Sequence, residues 1–495
     1  MNASISIRNR MLALLPFAIL SLAVCVSAQT PQATPPPPTA PRTVQFPRPV
    51  EKTLSNGLRV VVVQRSEMPL VSAQLLIKSG GEVDPAELSG VADMTAALLT
   101  RGTKTRTATQ IAEQIEALGG SIGSRAAWDS SEATVGVTSS QFDSALGILA
   151  DVIRNPAFKD EEIERLRRQY LNNLKVSMGQ PGSIARFAAA RVVYRDAPYG
   201  HPLSGTPESL PRIKRDGIVR IHEMFYRPDN AILVIGGDMT PENGFALAEK
   251  YFGDWAKPAT ELPKMPVGTP VSDTKNRRIL VIDMPDAGQA AVLAARTGIN
   301  RGSPDYFRGI VSNAILNGYS GRLNWEIRVK RGLSYGAGST LDTRRWAGSF
   351  SASAQTKNES GAEVTSLTLG EISKLATGDL PDKELTTRKA SLNGGFARGL
   401  ETTSGMVAQV SSLAIYGVSF DQLNQFVGSV QAVKAEDVKA FAAKHLNIDS
   451  TSVIVVGDAR KFLPALQKEF PQVEVIPVGE LDLNNASLRR AVSKN

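Results

Sequence analysis

Apolar and polar positions along this chain recur with two periods, one of two residues and one near three and a half. The apolar-rich run Leu58 to Val63 follows Leu54-Ser-Asn-Gly57 and reads as a strand fed by a hairpin turn. Ala133, Val135 and Val137 alternate as in a half-buried strand, whereas Phe142, Leu146, Leu149 and Ile153 fall at helical spacing. Gly90 to Leu99 is a second helical candidate. Thr107 and Gln110 predict a capping box for a helix with Ile111, Ile115 and Leu118 on one face, stopped at Gly119-Gly120. Strand pairs interrupted by helices, without strict βαβ alternation, predict an α+β fold.

The pattern repeats. Asn230 to Asp238 is a buried-strand run ending in Gly-Asp, followed by a helical pattern to Phe252; Ser450 to Asp458 and the pattern ending near Phe470 repeat it 220 residues later. Phe158-Lys-Asp-Glu-Glu-Ile163 and Leu380-Pro-Asp-Lys-Glu-Leu385 correspond at an offset of 222. Two matches at nearly one offset argue for a duplicated unit of about 220 residues. The expected architecture is two homologous domains, each a mostly antiparallel sheet with helices packed on one face. They are placed at residues 50–256 and 273–480, joined by a Pro-rich linker at 257–272, with a tail at 481–495.

Composition narrows the chemistry. With 42% hydrophobic and 21% charged residues, the 495-residue chain can bury a core and is not intrinsically disordered. Arg8 and Arg10 precede the apolar run Met11 to Val26, and Val26-Ser27-Ala28 has the form of a signal-peptidase site, so residues 1–28 read as an export signal. Residues 29–49, with Pro35 to Pro38, read as an extended tether. No later stretch reaches membrane-spanning length without charges. The expected location is outside the inner membrane, the periplasm if the source has two membranes. The net charge of +8 becomes +6 without the signal, too mild a balance to imply nucleic acid. Cys25 lies in the signal, so the mature chain has no disulfide, thiolate site or cysteine nucleophile. Among the histidines, His201, His222 and His445, no pair has helical metal-ligand spacing. Neither a phosphate-binding loop nor a dinucleotide fingerprint is present, and Gly318-Tyr-Ser-Gly321 lacks the spacing of a nucleophile elbow.

Several segments between about residues 48 and 475 carry a resemblance. Asn56-Gly-Leu-Arg-Val-Val-Val-Val63, Gly90-Val-Ala with Arg101-Gly-Thr103, Tyr199-Gly-His-Pro-Leu-Ser-Gly205, Tyr226-Arg-Pro-Asp-Asn230 and Gly321 to Tyr335 resemble, in order, the pitrilysin/insulinase-type zinc metallopeptidases. Active members resemble Gly-Leu-Ala-His-x-x-Glu-His, in which two histidines on one helix face hold zinc and the glutamate activates water. In that frame this chain has Asp93 and Ala97 at the ligand positions and Ala96 at the base position. The third ligand, a glutamate on a later helix, aligns with Asn173, and its companion position with Leu166. The resemblance thus implies no zinc in this chain and no peptidase activity from it alone.

What is retained lies in the second half. Active members supply an arginine and a tyrosine seven residues apart, matched here by Arg328 and Tyr335 in Arg328-Val-Lys-Arg-Gly-Leu-Ser-Tyr335. Asn317 to Lys330 reads as a helix ended at Gly332, and Tyr335 begins a strand through Gly338. The resemblance implies that this pair donates hydrogen bonds to a peptide carbonyl oxygen and to the oxyanion formed from it. Arg322 fits a family position that an ion pair explains equally well; Lys330 and Arg331 read as charged surface. The whole implies the non-zinc-binding subunit of an exported heterodimeric peptidase. Its partner would be a homologous subunit with an intact His-x-x-Glu-His motif and zinc, and its substrate an unfolded peptide held extended. The alternatives are a structural scaffold, as in the core subunits of respiratory complexes, and a peptide-binding homologue without a peptidase partner.

Overall fold

The computed structural model describes residues 45–264, 275 and 277–490. The expected signal at 1–28 lies outside these residues, as do 29–44 of the tether, 265–272 of the linker and 491–495 of the tail. Among the described residues no helix is long and apolar enough to cross a membrane.

The first half contributes β1 (Val50–Thr53), β2 (Arg59–Gln64), β3 (Leu70–Ile77), α1 (Val91–Leu98), β4 (Ser121–Ala126), β5 (Ser131–Thr138), α2 (Phe142–Arg154), α3 (Asp160–Met178), α4 (Pro181–Tyr194), β6 (Ala231–Gly237) and α5 (Pro241–Phe252). Its sheet runs β1-β2-β6-β3-β5-β4, with β2 and β6 parallel and every other pair antiparallel. The second half contributes β7 (Ile279–Asp283), β8 (Ala290–Thr297), α6 (Tyr306–Leu316), β9 (Ser334–Asp342), β10 (Ser349–Thr356), α7 (Gly361–Thr377), α8 (Asp382–Gly399), α9 (Thr403–Ile415), β11 (Ser452–Gly457) and β12 (Glu474–Pro477). Its sheet runs β12-β7-β11-β8-β10-β9; here both β12 and β11 lie parallel to β7. Two homologous α+β units with mixed, mostly antiparallel sheets are therefore present. The capping box forms as the sequence predicts, with Thr107 accepting from the Gln110 N–H and Gln110 from the Thr107 N–H.

Both faces of each sheet are buried, which explains why the strands read as continuous apolar runs. Val60 and Val62 point into the core shared with α2 and α5, while Val61 and Val63 point the other way. That second face is covered from the opposite half: α9 lays Met406, Val407 and Val410 across β3 and β6. Reciprocally, α4 of the first half lays Ile184, Ala185 and Ala188 across β8 and β11. Alongside the helices expected on one face, each half thus lends the other a helix for the second. Burying a valine or leucine side chain is worth about 1.5–3 kcal/mol, so neither sheet could lose its borrowed helix without a large cost. Residues 481–490, expected as the start of a tail, instead fold back. Leu481, Leu483 and Leu488 are buried with α4 and β7, and the Leu483 carbonyl accepts from Arg191 Nε at 2.9 Å.

Candidate functional site

The helix α1 that carries the degenerate zinc positions starts at Gly90, whose φ of 94° suits glycine. A Cβ there would also lie 2.8 Å from the Gly205 backbone, so two motifs far apart in sequence meet at this point. No side chain caps α1 from its N-cap residue. The Asp84 carboxylate does so from outside, accepting from the Gly90 and Ala92 N–H groups at 2.6 and 2.9 Å. Ala96 is completely buried in this helix, and Ala97 packs half-buried against the same core. Asp93 is half-buried. Burial pushes its carboxyl up to about 6, against the Tyr170 hydroxyl and the Ala126 N–H that face it. Tyr170 comes from α3, and its own hydroxyl is raised by burial and by Asp93. Asn173, the aligned third-ligand position, is exposed, and Leu166 is buried in the core. The α3 residue beside Asp93 is therefore Tyr170, one turn earlier than Asn173. Among the described residues no three His, Cys, Asp or Glu side chains are grouped to hold a metal ion.

Each histidine has a packing role. His201 is buried against Trp128 with both ring nitrogens 3.1 Å from carbonyl oxygens, those of Gly81 and Pro202. His222 stacks on Tyr226 and meets the Ile153 carbonyl at 2.7 Å. Burial lowers both to about 4. His445 instead meets the Asp305 carboxylate at 2.9 Å.

The predicted helix Asn317 to Lys330 is interrupted. Helix α6 ends at Leu316, Gly318 adopts φ 92°, and the chain resumes as one short turn at Arg322–Asn324 running into a π-helical turn at Trp325–Lys330. Such turns are rare and frequently occur at functional sites. Of the four cations between Arg322 and Arg331, all but Arg328 meet a carboxylate. Arg322 forms a two-pronged contact with Glu384 at 2.9 and 2.7 Å, while Lys330 and Arg331 both reach Glu326, at 3.1 and 2.9 Å. Arg328 differs. Its guanidinium lies over the Tyr319 ring, 5.1 Å from the centroid, and among the described residues it meets no carboxylate.

Tyr335 stands at the start of β9, which packs against the π turn. The pairing of β9 with β10 shifts register between Ala354 and Thr356, directly opposite, and the Tyr335 side chain is 89% exposed. A bulge re-aims a side chain in this way. The outer edge of β9 is closed by two amides: Asn324 accepts from the Ala337 N–H at 3.4 Å and Asn317 from the Ser339 N–H at 3.3 Å. Gly338 leaves room for this contact, because a Cβ would sit 2.6 Å from Asn317 Oδ1 and displace that amide. A strand added along Ala337–Ser339 would have to displace both amides. Tyr319, Trp325 and Val329, like Tyr335, are large apolar side chains left exposed, at 78, 56 and 48%. Tyr319, Trp325 and Val329 share the interrupted helical segment with Arg328, whose guanidinium lies over the Tyr319 ring. The sequence named Arg328 and Tyr335 but not Tyr319, Trp325 or Tyr170; aromatic residues at those positions read as core until the π turn and the α3 face are known.

A family profile described as "Insulinase (Peptidase family M16)" matches residues 59–207, and one described as "Peptidase M16 inactive domain" matches residues 212–392. A Mycobacterium leprae (strain TN) protein called an uncharacterized zinc protease is 25% identical over 396 residues, covering 80% of this chain and 88% of that protein. A Bacillus subtilis (strain 168) protein of the same description is 22% identical over 409 residues, covering 81% and 97%. Among solved structures, a peptidase M16 inactive domain from Pseudomonas fluorescens superposes with a TM-score of 0.77 at 26% identity, over 83% of this chain and 98% of that one. A protease from Helicobacter pylori shares the fold, with a TM-score of 0.75 at 18% identity over 83% and 100%.

Proposed function

This chain belongs to the insulinase family, peptidase family M16, and on that premise we propose that it is the non-catalytic subunit of an exported heterodimeric zinc peptidase. The observation that carries the proposal is the contrast between its two halves. Ala96 and Ala97 fill the positions where a base and a ligand would stand, while Arg328 is held without a carboxylate over the exposed Tyr319 ring, on the turn that β9, the strand of Tyr335, packs against.

In this reading the partner is a homologous subunit with the intact His-x-x-Glu-His helix, and its zinc supplies the Lewis acid and the activated water. The Arg328 guanidinium and the Tyr335 hydroxyl donate hydrogen bonds to the scissile carbonyl oxygen, and those bonds strengthen as the oxygen takes up charge. Trp325 and Tyr319 supply apolar contact to an unfolded peptide and exclude water from the donors. This chain contributes neither nucleophile nor general base. In this reading the partner makes the strand-like part of peptide binding, which is supported by the engagement of the Ala337 and Ser339 N–H groups by Asn324 and Asn317. In the same reading the chain is exported, which Arg8, Arg10 and the apolar run Met11 to Val26 support.

The test is to mix the mature chain with the zinc-bearing homologue from the same source. Light scattering should show a one-to-one complex, and a quenched peptide should be cleaved by the mixture and not by this chain. No complex and no change in the homologue's activity would leave the scaffold or peptide-binding alternative.

A further inference from the structure

We infer that the groove between α6 and α8 is a second peptide subsite, selective for a carboxylate that follows a bulky apolar residue; the inference rests on the peptide-binding reading above. The groove has a volume of about 670 Å³ and opens at Tyr319, the ring on which Arg328 lies, so it continues the Arg328 surface. Its apolar floor is built from Ile310, Leu392 and the Phe396–Phe426 pair, whose rings stack at 4.0 Å. Its size and its mixture of aromatic walls with a few polar groups fit a ligand site.

Charge decides what the ligand must carry. No Asp or Glu lines the groove; the charge present is Arg388. Arg388 lies one turn after Glu384 on α8, but Glu384 is already held at both oxygens by Arg322. The Arg388 guanidinium therefore has Ser320 for a partner, through its hydroxyl at 2.8 Å and its carbonyl, and its Nε is buried with none. A guanidinium carries five N–H donors, so most of its capacity is unused. A second cation stands behind the wall. Arg301 lies 3.8 Å from the centroid of the Tyr306 ring that lines the groove, donates to Gln422 Oε1 at 2.5 Å, and has a buried Nη1 without a partner. Among the described residues neither arginine meets a carboxylate. Arg388, half-exposed at the groove with spare donors and its helix neighbour Glu384 taken by Arg322, fits an anion presented on an apolar body, and Arg301 behind the wall adds to the positive field. Asn313 and Gln409 on the walls suit the backbone amides of a peptide.

The carboxylate can come from a Glu side chain or from a C-terminus, and three fluorescent decapeptides separate the sources: one ending Phe-Glu-amide, one ending Phe-Ala with a free carboxylate, and one ending Phe-Gln-amide. Fluorescence anisotropy with the mature chain alone should show at least one of the first two binding about ten-fold or more tighter than the third. Arg388→Gln should abolish that preference and Arg388→Lys should retain part of it. Ser391→Trp, which fills the groove from an exposed position, should weaken the preferred peptide about ten-fold with an unchanged melting temperature. Equal binding of all three peptides, a preference that survives Arg388→Gln, or competition by inorganic phosphate at equal concentration would overturn the assignment. Because the chain is measured alone, such a result leaves the complementation assay untouched. A mixture without peptidase activity, in turn, overturns the subunit reading but not this preference.

Discussion

Arg345, in the turn between β9 and β10, reaches across to the first half, and its removal should weaken the chain in a manner set by pH. Its Nη1 meets Glu82 Oε1 at 3.1 Å, and its Nη2 donates to the Lys78 and Asp129 carbonyls at 3.0 and 2.8 Å. Its own N–H bonds to Asp129 Oδ2 at 3.0 Å, and the same carboxylate accepts from Tyr199 and Tyr416. The Glu82 side chain is completely buried, and burial pushes its carboxyl up to about 8 even with Arg345 pulling it down. At pH 6 to 7 Glu82 is therefore mostly protonated. Arg345→Ala then removes hydrogen bonds made by a charged donor, at about 2 kcal/mol. Without Arg345 the Glu82 value rises further. The wild-type chain loses stability as pH climbs from Glu82's unfolded value to 8 and then levels off, whereas the variant goes on losing about 1.4 kcal/mol per pH unit above 8. Urea unfolding followed by tryptophan fluorescence, from pH 6 to 9.5, measures the difference; Trp128 lies beside Tyr199 in this network. In a Glu82→Gln background the growing penalty should vanish. An Arg345→Ala penalty that is constant over this range, or absent throughout, would refute the reasoning.

Two further substitutions probe the two sites. Asp93→Asn removes a carboxyl that burial holds near 6, so the ionisation cost between about pH 4 and 6 disappears and urea unfolding at pH 7 should show a gain of up to about 3 kcal/mol; a loss would mean that its contacts to Tyr170 and Ala126 matter more than its burial. Gly338→Ala drives a Cβ against Asn317 Oδ1, frees the edge of β9, and should cost about 1–3 kcal/mol in thermal unfolding. It should also lower activity of the two-subunit mixture, while an unaffected melting temperature would show that Asn317 moves aside freely.

How much of this was legible in sequence depended on distance along the chain. Local signals transferred well: the Thr107 and Gln110 box formed, Phe142 to Ile153 became a buried helix face, and the repeat at offsets of 220 and 222 became two similar sheets. The run Val60 to Val63 announced a strand buried on both sides, but nothing local says that α9, more than 300 residues away, covers its second face. That reciprocal loan between halves is a tertiary fact. At the candidate site, Arg328 and Tyr335 were visible through a family resemblance, whereas their setting was not. A regular helix from Asn317 to Lys330 was expected, because apolar spacing cannot report Gly318 in a left-handed conformation or a π turn. Asn173 was taken from alignment alone, and the helix phase places Tyr170 beside Asp93 instead. The groove between α6 and α8 escaped notice because Arg388 reads as surface until Arg322 is seen to take its neighbour Glu384.

The central claim is that Arg328 and Tyr335 act on a peptide held at a partner's zinc. The most direct measurement is kcat/KM for a quenched peptide cleaved by the mixture of this chain and its zinc-bearing homologue, with Arg328→Ala and Tyr335→Phe introduced here. If the pair stabilises the oxyanion, each variant should lower kcat/KM by about 10²–10³, mainly through kcat, with complex formation unchanged. Variant mixtures as active as the wild type, or a homologue fully active without this chain, would contradict the account.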